Sequence, residues 1–181
     1  TRLSKGDKAP RDHTILRFHM AIEKPSEWFN DQTYLDTMNH EAVREFIKVT
    51  HAAYKKNNGE DFGGVIPGIF TDEPNYGPLH GRNEDSLPWT GALPATFRKR
   101  HGYTITDHLP SLFYDTEGPE CARTRYDYME TITFLFVDAF SRQIGEWCGK
   151  NGIQSTGHLL SEQNLTGQAS VVGACMPHYE H

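Results

Sequence analysis

An apolar run, Val65-Ile66-Pro67-Gly68-Ile69-Phe70, stops abruptly at Thr71-Asp72-Glu73-Pro74. A short apolar run punctuated by Gly and Pro fits a parallel strand covered on both faces. In α/β folds the loops at the carboxyl ends of such strands build the active site. Successive strand residues face opposite ways, so one of the two carboxylates is expected to enter a cleft and the other to serve packing or a supporting hydrogen bond. The same residues also suit a solvated turn, because acidic residues and proline are ordinary turn formers. The motif alone does not separate the two readings.

The rest of the pattern sets this strand among helices. Leu16, Phe18, Met20 and Ile22 alternate with Arg17, His19, Ala21 and Glu23, the period of a strand with one apolar face, which Pro25 and Ser26 end. Val43, Phe46, Ile47, Thr50 and Tyr54 fall at helical spacing over 40–57, with Asn39 as cap and Asn58-Gly59 as stop. The spacing predicts a shorter helix over 94–101 and a further helical turn over 107–114. The longest helix is expected over 123–150, with a stripe of Met129, Ile132, Phe136, Phe140, Ile144 and Trp147. Residues 153–160 read as another strand, ending at Ser161-Glu162. Strand, helix, strand, helices, strand is the alternation of parallel βαβ units. The expected fold class is therefore α/β, with about three βα units, parallel strands and long βα loops, the longest from Pro74 to Pro94. So few units cover a sheet poorly, and an open parallel edge invites another strand, so self-association through the sheet edges is expected.

The 181 residues are the size of one domain. A net charge of −6 and a pI near 5.9 leave no basic footprint for nucleic acid or an anionic membrane. No stretch approaches the length of a membrane span, and the opening Thr1-Arg2-Leu3-Ser4-Lys5 holds no apolar signal core. Localisation stays open, with periplasmic or secreted among the options for a longer parent. The Thr start and the ending Pro177-His178-Tyr179-Glu180-His181 read as cuts through such a parent. Cys121, Cys148 and Cys175 are an odd number without a Cys-x-x-Cys pair, which indicates neither a disulfide framework nor a zinc ribbon. The 10 histidines form no His-x-x-x-His or His-Glu-x-x-His pattern, which argues against a catalytic zinc. Calcium takes oxygen ligands without fixed spacing outside the EF-hand loop, so it stays open, and no other cofactor is indicated.

Hydrolysis of a glycosidic bond generally needs two carboxyl groups facing each other across that bond. Asp72 or Glu73 at one strand end and Glu162 at the next are the candidate pair. Neighbouring parallel strands lie roughly 4.8 Å apart, which permits the carboxyl separations of about 5 to 9.5 Å that glycosidases use. Glu162 equally suits a capping or surface acid just past a strand. His158, at the same strand end, can bond a sugar hydroxyl, hold a carboxylate in place, or be structural. Trp28, Phe29, Tyr76 and Trp89 fall in loops, where rings stack on sugars or fold back as lids over the core. His80 and Arg82 of the long loop can add hydroxyl contacts or be solvated.

Five segments in order carry a resemblance. They are Tyr34-Leu35-Asp36-Thr37-Met38-Asn39-His40-Glu41-Ala42-Val43-Arg44-Glu45-Phe46, then Gly68-Ile69-Phe70-Thr71-Asp72-Glu73-Pro74, Leu87-Pro88-Trp89-Thr90, Phe97-Arg98-Lys99-Arg100-His101-Gly102-Tyr103, and Thr156-Gly157-His158-Leu159-Leu160. Together they resemble large bacterial glycoside hydrolases, notably α-L-rhamnosidase-like proteins, over most of the chain from about residue 24. The resemblance implies a (β/α)8 TIM barrel with an acid pair at its carboxyl-end face. Residues 1–181 would then be a central fragment of a single barrel domain in a much longer protein. It implies Glu73 as general acid with Asp72 beside it as support; Glu162 is a weaker candidate for the partner, without a family base to match it, and Asp36 is a candidate sugar-binding residue. The implied substrate is a rhamnose-containing or other plant or bacterial oligosaccharide or polysaccharide, and the isolated segment is expected to be inactive. A non-catalytic carbohydrate-binding barrel segment and a metal-dependent hydrolase are the competing readings.

Overall fold

Asn39 opens the first helix, α1 (His40–Val49), in the computed structural model, which describes residues 4, 6–77, 86–116 and 118–181. Its side-chain oxygen accepts the N–H groups of Glu41 at 3.0 Å and Ala42 at 3.3 Å, while Val43 and Ile47, one turn apart, bury the apolar face. The single helix expected to residue 57 is interrupted at Thr50, whose hydroxyl turns back onto the Phe46 carbonyl at 2.6 Å. α2 (His51–Asn58) resumes from there. α3 (Leu93–His101) has Pro94 in its first turn, where the missing N–H costs nothing, and closes on Gly102 at φ 81. Arg98, Lys99, Arg100 and His101 crowd its last turn, where they complement the negative end of the helix dipole. The short α4 (Leu109–Phe113) follows.

The long helix is continuous in three parts: α5 (Glu120–Phe136), a π-helical stretch (Val137–Arg142) and α6 (Gln143–Lys150). Ile132, Phe136, Phe140 and Ile144 of the expected stripe are buried, and Met129 and Trp147 pack at its two ends. Steps of four residues overshoot a turn of α-helix by about 40°, so such a stripe drifts off one face unless the helix widens. The π stretch takes up that drift. Leu93 and Phe97 of α3, and Val43 and Ile47 of α1, close on the same core. A polar clasp ties α3 to α5: Asp127 accepts the Tyr103 hydroxyl at 2.8 Å and lies 3.5 Å from both His101 Nδ1 and Arg123 Nε.

Two strands pair in parallel, β1 (Gly68–Asp72) and β2 (Gln154–His158), in the register Gly68↔Gln154 through Asp72↔His158. Gly157 permits this pairing. Its φ is +150°, and a Cβ there would lie 2.1 Å from the Thr71 carbonyl oxygen. α6 packs against β2, and Ile69 turns toward the core, while Phe70 stays 60% exposed on the other face. α7 (Leu165–Val171), capped by the Asn164 side chain on the Gly167 N–H at 2.8 Å, follows β2, and a 3-10 turn (His178–Glu180) comes after it.

Three expectations are corrected. Residues 16–22 form no strand; Met20 is 69% and Ile22 85% exposed, and the Phe18 ring lies 5.5 Å from that of Phe113. Alternation favours an extended chain, but a strand exists only where neighbouring N–H and C=O groups pair with it, and none among the described residues does. Three βα units therefore reduce to a mixed α/β arrangement with two parallel strands. The apolar run of β1 is likewise not covered on both faces, because helices lie against one side only among the described residues.

Candidate active site

β1 and β2 end together, and their register sets Asp72 directly opposite His158. The two side chains share a face, with Asp72 Oδ1 3.0 Å from His158 Nε2. Phe70, on the same face, lies against the His158 ring with centroids 5.8 Å apart. Glu73 extends the ladder by one bond, its N–H donating to the His158 carbonyl at 3.1 Å. Its backbone then turns into the left-handed region at φ 50, which costs a non-glycine residue roughly 1–2 kcal/mol. Strained residues of this kind cluster at functional sites. The Glu73 side chain is exposed, and no hydrogen bond or ion pair engages its carboxylate among the described residues.

The end of β2 repeats the device. Ser161 stands at φ 58, immediately before Glu162. Glu162 Oε2 accepts the Tyr179 hydroxyl and the Leu159 N–H, the latter at 3.3 Å. These two donors, Tyr179 foremost, together with the nearby His158, hold the Glu162 carboxyl below the usual carboxylate range. The same hydrogen bond pushes the Tyr179 hydroxyl up to about 12. Gln168 of α7 secures the loop, donating to the Glu162 carbonyl at 2.9 Å and accepting the Cys175 N–H at 3.3 Å.

The fold thus brings Asp72, Glu73, His158 and Glu162 to one end of the parallel pair. The expected sugar-binding rings separate. Trp28 is 87% exposed on the 3-10 turn Glu27–Phe29. Trp89 packs against the core as a lid, and so does Tyr76, whose hydroxyl burial pushes well up from its ordinary value. Asp36 is engaged locally: it accepts the Met38 N–H at 3.1 Å and the Thr90 hydroxyl at 2.7 Å. His80 and Arg82 lie outside the described residues.

Two site residues escape the sequence reading. Tyr179 reaches Glu162 across 17 positions, a contact that local pattern does not signal. Asn75 follows the Thr-Asp-Glu-Pro run directly, and Pro-Asn-x-Gly is a turn signature that could have marked it.

An open cleft of about 240 Å³ adjoins His158, lined by Thr71, Ser155, Thr156, Ser141 and Tyr179 over an apolar floor of Phe140 and Ile144. Ser141, on the π stretch, bonds His178 Nδ1 at 2.7 Å, and burial pushes His178 down to about 4. A larger groove of about 470 Å³ runs along Tyr126, Met129 and Phe134 of α5, away from the strand-end carboxylates. Among the described residues no group of three or more His, Cys, Asp or Glu side chains is placed to hold a metal ion, and no helix is long and apolar enough to cross a membrane.

No family model matches the sequence, and no curated protein matches it. Among solved structures, the rhamnosidase from Novosphingobium sp. PP1Y matches with a TM-score of 0.57 and 24% identity, over 72% of this chain. Over the matched residues the chain shares the fold of part of that rhamnosidase. It spans 12% of the length of that rhamnosidase chain, so the match concerns the arrangement of these helices and strands alone.

Proposed function

We propose that this chain is part of the (β/α)8 catalytic domain of a glycosidase acting on a rhamnose-containing or related glycan, with Glu73 as general acid and Glu162 as the opposing carboxylate. The observation that carries the reading is that Glu73 and Glu162 both follow the carboxyl ends of two adjacent parallel strands, where α/β enzymes build their sites. The likeness to a rhamnosidase supports the substrate class. Helices cover the Ile69 side of the sheet, so a barrel closed from these strands would turn the face bearing Phe70, Asp72 and His158 into its lumen. The two acids divide their roles by environment. Glu162, hydrogen-bonded by Tyr179 and Leu159, is kept ionised to act as base or nucleophile. Glu73, exposed at its strained turn, delivers the proton to the leaving oxygen. His158 holds Asp72 beside it.

The test is hydrolysis of aryl α-L-rhamnosides by the barrel protein that carries this segment. Glu73→Gln should lower turnover by about 10²–10⁴-fold on substrates whose leaving group needs a proton. Unchanged turnover would remove the assignment. One observation favours a second reading, carbohydrate binding without chemistry: the Trp28 ring stands exposed, as a stacking platform does. Sugar binding that persists in Glu73→Gln and disappears in Trp28→Ala, with no turnover in the unaltered protein, would establish that reading instead.

A further inference from the structure

We infer that Asn75 is the positioning residue for Glu73, clamping the turn that aims its carboxyl group; this rests on reading Glu73 as the acid. The Asn75 side chain is engaged inside this turn, and its backbone is bonded outside it. Its Nδ2 donates to the Glu73 carbonyl at 2.9 Å, and its Oδ1 accepts the Gly77 N–H at 2.7 Å. Its own N–H donates to the Tyr34 hydroxyl at 3.3 Å, and its carbonyl accepts the hydroxyl of the buried Thr37 at 2.9 Å. Gly77, at φ +100, is closed in by the Tyr34 ring, which would lie 3.0 Å from an added Cβ. The Asn75 side chain therefore braces residues 73–77 from within, while its backbone ties them to the segment before α1.

That pinning answers a specific need. Glu73 combines φ 50 with a following proline, whose ring crowds the preceding residue and offers no N–H to fix the turn. The conformation persists only if its surroundings over-determine it. The Asn75 amide is the group that bonds the Glu73 carbonyl, and so sets the peptide plane from which the side chain departs. General acid catalysis depends on that direction, since a misplacement of about 1 Å can cost about 10²-fold in rate.

The experiment compares Asn75→Ala and Asn75→Asp with Glu73→Gln in the active barrel protein, on phenyl and 2,4-dinitrophenyl α-L-rhamnosides. The dinitrophenolate leaves without a proton, so a fault in acid delivery shows only on the phenyl substrate. Asn75→Asp keeps the acceptor for Gly77 but replaces the donor to Glu73 by an oxygen, so it decides the matter if Asn75→Ala does not fold. The expected result is a kcat at least about tenfold lower on the phenyl substrate, with KM unchanged and less than about twofold loss on the dinitrophenyl substrate. Equal losses on both substrates, or none, in the Asn75 variants while Glu73→Gln shows the leaving-group dependence would overturn the positioning role alone. Absence of that dependence in Glu73→Gln would overturn the acid assignment, and the inference with it.

Discussion

Substituting Gly157 by Ala should part the two strands that carry the site. The new Cβ would sit 2.1 Å from the Thr71 carbonyl oxygen and 3.0 Å from its carbonyl carbon. An ordinary C···O contact is about 3.3 Å, so the backbones must separate by about 1 Å. Neither neighbour can give way cheaply, because both are main chain in a paired ladder. Overpacking of this kind costs about 1–3 kcal/mol. Holding a side chain at φ +150° adds about 1–3 kcal/mol more, for a total of about 2–6 kcal/mol. That is a large fraction of the 5–15 kcal/mol typical of a domain. Urea denaturation of the chain measures it directly, with Gly149→Ala as the control. Gly149 lies in α6 with nothing within 4 Å of an added Cβ, so alanine there should stabilise by about 0.5–1 kcal/mol through helix propensity. A Gly157→Ala midpoint that matches the parent, with an unchanged m value, would refute the close-approach argument.

Two further outcomes concern pH. His178 is held neutral by burial, its folded value about 4 against an ordinary 6.5, so the unfolded chain binds a proton that the folded chain refuses. Stability should be full above pH 6.5 and fall by as much as about 3 kcal/mol as pH drops toward 4, and His178→Gln should flatten that slope in urea titrations at pH 7 and pH 5. For Glu162 the folded carboxyl lies below its unfolded value of 4.5, so its contribution is present above that pH and is lost as pH falls through the folded value. Tyr179→Phe removes the leading cause, and the Glu162 carboxyl should then titrate higher by carbon NMR; an unmoved titration would show that the Leu159 N–H suffices.

Helices were the legible part of this chain. Val43 and Ile47, or Ile132, Phe136, Phe140 and Ile144, reveal their shared face through spacing, because contacts within a helix lie three or four positions apart. The site was legible only in outline: the abrupt change from Phe70 to Asp72-Glu73 marks a strand end, and Ser161-Glu162 marks the next. Residues 16–22 show the limit. Their alternation is as regular as that of any strand, yet pairing is a property of two segments, and the pattern of one does not supply the other.

The sequence by itself determined the start of α1 at Asn39 and the end of α3 at Gly102, the approximate position of the two strand ends, and the acidic residues that follow them. These are local consequences of backbone dihedral preference, capping and period. Only the tertiary structure decided that Asp72 faces His158, that the distant Tyr179 joins the neighbouring Leu159 N–H on Glu162, and that Asn75 holds the turn of Glu73 against the segment before α1. Each of those contacts joins residues through register or through the return of a distant segment. Their geometry is set by packing of the whole core, which no short stretch of sequence encodes.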